Sequence, residues 1–348
     1  MMQQESWISK IAFFLNKVLA LLTLLAYILP FLSPKLFPFL SVLTLSLPFF
    51  LFLNFLFFVI WLLQLKRKIF LSAFVLLIGF TFINKFYKFS ETNIQDETTD
   101  FTLMSFNVRL FNLYEWLPNK EVPEQITEVI QSYNPDILCL QEYSPNDKVR
   151  VRNFGYKYIK VEGGKNKYGQ AIFSKFEIVN KGEINFPNSS NNVIYVDIIK
   201  NIDTVRVYSM HLQSIKISTD IHENIDENKS RFIFKRISSA FKEQQLQSEL
   251  IQKHYEECHF PKIVCGDMNN SAFSYVYRNI KGNMADAFEK AGSGFGASYN
   301  FKYYPARIDY VFVEEGIEVK EFKTDNTVQL SDHFPVFTRL NLDVKNLK

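Results

Sequence analysis

Three apolar runs fill most of the first 90 residues, at 11–32, 39–63 and 69–86, and no Asp or Glu falls inside any of them. A helix needs about 20 apolar residues to cross a hydrocarbon core. The second run meets that length outright, and the first meets it if Lys17 snorkels towards a headgroup. The third holds 15 residues, 69–83, before Asn84 and Lys85 interrupt it, with Phe86 and Phe89 able to lengthen it at the interface. One such run alone would read as a buried core helix. Three in tandem read as a membrane anchor over residues 1–89 with two to three transmembrane helices. A cleaved signal peptide fits poorly, because no small-residue cleavage site follows the first run and the second is too long.

Basic residues give this anchor a direction. The loop between the second and third runs is Lys66, Arg67, Lys68, a cluster that the positive-inside rule assigns to the cytoplasm. With three spans Lys10 also lies inside and everything after residue 90 lies outside, although Lys85 and Lys88 on the outer side weaken the asymmetry. If the third run only lies on the surface, the rest of the chain is cytoplasmic. The first arrangement is the expectation: a multi-pass protein of a bacterial-type cytoplasmic (inner) membrane, with residues 101–348 extracytoplasmic. Residues 90–100, SETNIQDETTD, have no apolar periodicity and read as a linker that lets the next domain move near the bilayer.

From residue 101 the chain is an ordinary soluble mixture. Of 39 Lys and Arg and 36 Asp and Glu, 8 and 5 fall in residues 1–100, which leaves 31 of each for the remainder. That balance lacks the basic excess of a general nucleic-acid binder, while a local patch would not show in the sum. Cys139, Cys258 and Cys265 form no CxxC pair and read as buried thiols rather than a zinc site or disulfide framework. A helical stripe of Val122, Ile126, Val129 and Ile130 follows the strand-like FTLMSFNVRLF. PDILCLQEY, YGQAIFSK, VIYVDIIK, VRVYSMHL, KIVCGDMN, ARIDYVFV and HFPVFTRLNL read as further strands, and residues 238–257 as a helix. Many strands with few helices predict an α+β domain with a two-sheet core.

Polar residues recur where these strands end. Asn107 interrupts the first, Glu142 ends the second, His211 ends another, and Asp267 with Asn269 closes KIVCGDMN. Asp309 stands in RIDYVF, and Ser331, Asp332 and His333 stand in LSDHFP. An isolated Asp or Asn in such a place is a turn former; so many oxygen donors with two histidines indicate convergence on one site. These residue types suit cation-assisted attack on a phosphate ester. Glu142 and Asp332 are hard ligands of the kind Mg²⁺ takes, with Mn²⁺ as an alternative, and the ion neutralises charge that builds up in an in-line displacement. Asp267 and Asn269, two apart on an extended strand, point the same way. One can orient or deprotonate water while the other donates a hydrogen bond to the forming phosphorane.

The ordered set SFNVR, LQE, MHL, GDMN, RIDYVF and SDH resembles the endonuclease/exonuclease/phosphatase superfamily, which includes DNase I, the apurinic endonucleases, neutral sphingomyelinases and inositol-polyphosphate 5-phosphatases. The resemblance covers about residues 101–343. It implies a four-layered α/β sandwich (DNase I-like) with the site at one rim. By the same resemblance Glu142 is the principal Mg²⁺ ligand with Asn107 and Asp332 close to the ion. Asp267 activates water, Asn269 stabilises the transition state, His333 contacts the scissile phosphate in a tautomer held by Asp309, and His211 protonates the leaving group.

Departures from the better-known branches bear on substrate. Tyr143 follows LQE where several nucleases contact DNA, and no basic stretch suits a groove. The lysine and arginine motifs of inositol-polyphosphate phosphatases are not seen. Residues 213–239 are longer than a strand connection needs and suggest a lid beside His211, whereas His222, His254 and His259 read as surface residues and Tyr275 and Tyr277 as core. Tethering raises the effective concentration of lipid headgroups. The expected function is a membrane-anchored Mg²⁺-dependent phosphodiesterase or phosphatase, with a lipid-like or small phosphoester ahead of nucleic acid. The alternatives are an extracytoplasmic endonuclease or exonuclease acting on DNA or RNA, and, from another class, a catalytically inactive membrane-anchored binding protein. The partners expected are the lipid bilayer and the phosphoester; no protein partner is indicated.

Overall fold

The computed structural model describes residues 6–89, 99–164, 166–215, 227–302 and 304–342. Its N-terminal part is five helices: α1 (Trp7–Ala26), α2 (Pro38–Val42), α3 (Leu47–Leu63), α4 (Ile69–Ile78) and α5 (Phe80–Phe86). Two stretches, Trp7–Phe31 and Pro38–Leu63, are long and apolar enough to cross a membrane. The third run behaves differently, because α4 and α5 bend by 68° at Gly79. Tyr27 causes the closeness at this bend: its hydroxyl donates to the Val75 carbonyl at 2.9 Å, and a Cβ on Gly79 would lie 2.1 Å from the same hydroxyl oxygen. The third run is therefore a broken pair rather than a straight span.

Buried polar side chains join these helices. Asn16 donates to Ser72 Oγ at 2.9 Å and accepts from the Trp61 indole at 2.9 Å, and Asn54 donates to Thr23 Oγ1 at 2.7 Å. Such pairs are the adhesive expected between apolar helices that have little hydrophobic drive towards one another. At one end of the bundle the Lys66 and Lys68 amines lie 3.0 and 3.1 Å from Ser9 Oγ, so the basic loop caps the start of α1.

The C-terminal domain docks on the opposite end. Phe273 packs among Tyr27, Leu47 and Leu51, the Arg278 guanidinium lies 4.5 Å over the Phe31 ring, and Arg307 Nη2 donates to the Lys85 carbonyl at 3.1 Å. Lys88 exchanges two backbone hydrogen bonds of 2.9 Å with Gly294. A domain moving freely on a tether was the expectation from residues 90–100; the observed domain is seated directly on the helices. Residues 90–98 lie outside the described part of the chain.

The domain holds β1 (Asp100–Asn107), α6 (Val122–Tyr133), β2 (Ile137–Tyr143), β3 (Tyr156–Glu162), β4 (Tyr168–Ser174), β5 (Ile178–Asn185), β6 (Asn192–Lys200), β7 (Asp203–His211), α7 (Glu227–Glu256), β8 (Lys262–Asp267), α8 (Tyr275–Lys281), β9 (Ala285–Asp286), α9 (Ala287–Ala291), β10 (Asp309–Val313), β11 (Ile317–Thr324) and β12 (Val336–Leu342). The strands form two six-stranded sheets, β11-β12-β1-β2-β4-β3 and β5-β6-β7-β8-β10-β9. Leu103, Cys139, Ile194, Val207 and Cys265 are among the residues filling the space between them. Val122, Ile126 and Ile130 of α6 cover the outer face of the first sheet, and Ile251 of α7 with Val276 and Ile280 of α8 cover that of the second. The layering is helix, sheet, sheet, helix, as the resemblance implied. All three cysteines are buried.

Several local expectations need correction. β1 ends at Asn107 instead of being interrupted by it, and β12 begins only at Val336, because Phe334 and Pro335 still belong to the loop. The expected helix at 238–257 starts earlier, at Glu227, so the described part of the proposed lid is largely its first turns; residues 216–226 lie outside the described residues. His254 is half-buried, its Nδ1 3.0 Å from the Tyr208 hydroxyl, and is not a surface residue.

Gly266 sets the approach of β7 to β8. Its φ is +122°, and a Cβ there would meet the Met210 carbonyl oxygen at 2.2 Å. Gly266→Ala is expected to destabilise the domain by about 1–3 kcal/mol, lowering Tm by about 2–4 °C for each kcal/mol at this domain size. Thermal unfolding of the full chain in detergent checks this, with Gly155→Ala, which meets nothing within 4 Å, as the control that should not move.

Candidate active site

Three adjacent strands bring the first polar groups together by register alone. His211 on β7 pairs across from Asp267 on β8, and Asp267 pairs across from Asp309 on β10. Residues opposite one another project to the same side of a sheet, so the imidazole and two carboxyls share one edge. The second sheet meets that edge from β1 and β2. Asn107 donates from Nδ2 to Asp267 Oδ2 at 3.1 Å and to Glu142 Oε1 at 3.3 Å, spanning the two sheets with one amide. His333 arrives from the loop before β12, its Nδ1 2.9 Å from Asp309 Oδ2 and its Nε2 3.6 Å from Asp267 Oδ2. The eight residues expected from the sequence to act in catalysis or metal binding lie in one neighbourhood around Asp267.

Two of them are placed differently from the roles expected of them. Asn269 has φ +52°, and its side-chain nitrogen donates to Asp267 Oδ2 at 2.9 Å and to the Leu212 carbonyl at 3.1 Å, while its backbone N–H donates to Asp267 Oδ1 at 2.8 Å. One side-chain amide proton and the backbone N–H therefore hold Asp267, while the other side-chain proton is taken by the Leu212 carbonyl. Asn107 offers nitrogen rather than oxygen to the acids, since its Oδ1 accepts from the Arg109 backbone N–H at 3.1 Å. Direct ligation by Asn107 requires its amide to turn over.

Burial controls the protonation of the cluster. Asp267 is 1% exposed and its pKa is pushed up to about 8 by desolvation, with Asp309 and Glu142 adding to the rise and His333 opposing it. Burial likewise raises Glu142, helped by the neighbouring Asp332 charge. His333 keeps its proton: burial disfavours the cation, but Asp309 and Asp267 outweigh it and hold the imidazole up at about 10. His211 is pushed down to about 4 by burial and by His333. Of the two histidines, His333 is the one whose surroundings favour the protonated form, and His211 the one held neutral.

The donor set fits a hard divalent cation. Glu142 and Asp332 present carboxylate oxygens whose mutual repulsion a cation would relieve, and His211 Nε2, 3.7 Å from Glu142 Oε1, is buried with no hydrogen-bond partner among the described residues. Ligand atoms of Asp267, Asp309 and His333 also lie within 4.8 Å of one another. In that second group Asp309 is already engaged by the His333 ring, and a nitrogen ligand suits Mg²⁺ less well than oxygen.

Sequence reasoning assigned no role to Arg109 and did not notice Tyr299. Arg109, Leu110, Phe111 and Asn112 all have positive φ, between +42° and +61°, a left-handed turn of non-glycine residues. Phe111 is buried and Asn112 ties the turn to Leu117 by hydrogen bonds of 2.9 Å in both directions. Backbone strain of this kind persists only where surroundings enforce it and concentrates at functional sites. Here it directs Arg109 Nε to within 3.4 Å of Asp332 Oδ2, its guanidinium 4.4 Å over the Trp116 ring. Nothing in SFNVRLFN signals such a turn except Asn112. Tyr299 sets its ring 5.0 Å from His333, edge to face.

Family profiles match both halves of the chain. The Endonuclease/Exonuclease/phosphatase family profile matches residues 104–333, and a domain of unknown function, DUF8431, matches residues 9–86. The chain belongs to the endonuclease/exonuclease/phosphatase family, whose members are metal-dependent phosphoester hydrolases. No curated protein matches it. Solved structures with the same fold include a family protein of Beutenbergia cavernae (16% identity, TM-score 0.53, covering 70% of this chain and 72% of that one). Another is a family protein of Bacteroides thetaiotaomicron (19%, 0.53, 72% and 100%). A third is D. rerio TDP2 complexed with a single-strand DNA product (17%, 0.52, 70% and 99%). At these identities they establish the DNase I-like fold.

Glu142→Gln is expected to weaken Mn²⁺ binding by at least about 10–100-fold, measured by electron paramagnetic resonance of free Mn²⁺. Asp147→Asn, on the exposed loop after β2, should leave it unchanged.

Proposed function

We propose that the chain is a membrane-anchored, Mg²⁺-dependent phosphodiesterase or phosphatase acting on a lipid-like or small phosphoester. The observation that carries this reading is the convergence on Asp267: its two oxygens are held by Asn107 and Asn269, and its lone-pair side faces both histidines. Fixed in that way, Asp267 in its ionised form, which the charge of a cation beside Glu142 would favour, is suited to orient a water molecule and take its proton. His333, charged and fixed by Asp309, is placed to meet a phosphoryl oxygen, and Arg109 stands at the Asp332 side to meet another. A divalent cation held by Glu142 and Asp332 would offset the charge that grows on the phosphoryl group. Asn107 and Asn269 act as positioning residues for the two acids.

Membrane anchoring is supported by the two long apolar helices and by the lipid-like exposure of their outer surface, where Phe14, Leu21, Phe49 and Phe52 each remain more than half exposed. The domain docks at the end of the bundle opposite the Lys66–Lys68 loop, which supports an extracytoplasmic domain if that loop is cytoplasmic. For a nuclease speaks one local feature, the exposed rings of Tyr114 and Trp116 beside Arg109, which offer a stacking surface for a base. A binding protein without activity would need a broken site, and every expected polar position is filled.

Hydrolysis of bis(4-nitrophenyl) phosphate by the full chain in nanodiscs should require added Mg²⁺ or Mn²⁺, stop with EDTA, and fall by about 10²–10⁴-fold in Asp267→Asn. Undiminished turnover in that variant would overturn the assignment. Supercoiled plasmid given to the same sample should stay intact; nicking that EDTA and His333→Ala both abolish would move DNA to the front.

A further inference from the structure

An apolar cavity of about 670 Å³ opens beside the catalytic cluster, a size within the usual range for one small ligand. One end belongs to the site: Asn269, bonded to Asp267, and Tyr299, packed on His333, both line it. The other end belongs to the N-terminal helices, through Leu45 in the turn before α3 and Phe86 in the last turn of α5. Ile233 and Ile237 of α7 close a third side, held against the helices by packing of Ile237 and Phe241 on Val42 and by stacking of Phe234 on Phe39. The two cations on its wall are engaged elsewhere, Arg307 with Asp286 at 2.7 Å and Lys85 over the Tyr277 ring at 4.8 Å.

We infer that this cavity seats the hydrocarbon chain of a membrane lipid whose phosphoester lies at Asp267 and His333. The inference rests on the reading of that cluster as a phosphoester hydrolase and names its substrate class. Continuity decides the occupant. Around the helix end of the cavity Leu43, Leu45, Phe295 and Phe301 remain 37–45% exposed, so among the described residues these apolar side chains continue its wall onto the apolar exterior of the bundle. A soluble phosphoester or a nucleic acid has no use for such a wall, whereas a lipid can slide a chain along it from the bilayer and bring its headgroup to the polar end. The ligand that satisfies both ends is amphipathic, with a phosphoester at one extremity and a long alkyl or isoprenoid chain behind it.

The test uses the full chain in phosphatidylcholine nanodiscs with Mg²⁺ or Mn²⁺, given 4-nitrophenyl alkyl phosphate diesters with methyl, octyl or hexadecyl chains. In each, water forms the new P–O bond as the bond to 4-nitrophenolate breaks, so one chromophore reports every chain length. Ile233→Trp and Leu45→Trp, from opposite walls, fill the cavity without touching the catalytic cluster. Both should leave methyl ester turnover unchanged and lower kcat/KM for the hexadecyl ester by at least about tenfold, because each CH₂ denied an apolar seat is worth about fourfold. Equal behaviour of the methyl and hexadecyl esters in both variants would overturn the chain seat while leaving the hydrolase reading intact. If wild type cleaves none of the esters, the hydrolase reading fails, and photolabelling still decides the cavity. A hexadecyl phosphate with a terminal diazirine should mark peptides containing Ile233 or Phe301; marking confined to α1 and α3 would overturn the inference.

Discussion

A hydrogen-bonded strut between the two sheets fixes the geometry on which the catalytic cluster depends. Gln141 donates to Ser209 Oγ at 2.9 Å, Ser209 donates to Gln170 Oε1 at 2.8 Å, and Gln170 reaches the Asn192 carbonyl at 2.8 Å. Apolar burial between the sheets is strong but without direction, so by itself it would allow one sheet to slide on the other. The strut removes that freedom. Gln141, Ser209 and Gln170 are fully buried and each finds a partner, the condition under which a buried polar network specifies one arrangement rather than weakening the core. Gln141 immediately precedes Glu142, and Ser209 lies two residues before His211 on the same side of its strand. The strut therefore sits one layer beneath the cluster and sets the distance across which Asn107 joins Glu142 to Asp267.

Which strands were legible in the sequence follows from where they lie. Central strands such as ILCLQEY and KIVCGD are buried on both faces and read as unbroken apolar runs ending on a polar residue. The strands that escaped notice are the two-residue β9 and β3, β5 and β11, the last three reading YKYIKVE, IVNKGEIN and IEVKEFKT, and each lies at an edge of its sheet. Edge strands carry Lys and Glu because an apolar open edge invites pairing with other chains, and this protective chemistry hides them from a reading based on hydrophobicity. The site was legible because its residues stand at the ends of the central strands. What escaped was Arg109 with its left-handed turn, and the fact that Asn107 and Asn269 face the acids. Those features depend on hydrogen-bond partners distant in sequence, which spacing does not reveal.

The bend at Gly79 marks a similar limit. Composition alone makes residues 69–86 one apolar run, yet the Tyr27 hydroxyl takes the Val75 carbonyl and its ring occupies the space over Gly79. A contact 48 residues away in sequence thus turns a candidate span into a bent pair. The bend carries Phe86 and Lys85 to the C-terminal domain, where Arg307 donates to the Lys85 carbonyl near the end of α5 from within a buried pair with Asp286. A cation is favourably placed at a helix C-terminus, and in this position it also joins the two halves of the chain.

The loop after β8 links chemistry to the helices most directly. Asp267 and Asn269 belong to the cluster; Asn270 is held by Gln244 of α7 at 2.7 Å and its carbonyl by the Tyr310 hydroxyl at 3.0 Å; Phe273 is inserted among the N-terminal helices. Within seven residues the backbone passes from a buried carboxylate to the helix bundle. A domain hung on a mobile tether would leave the angle between its site and the helices undefined, and each approach of a lipid headgroup would then pay the entropy of orientation. A rigid loop sets that angle during folding. The same loop forms one wall of the apolar cavity, so the residues that orient the acids also define the path along which a chain from the bilayer would reach them.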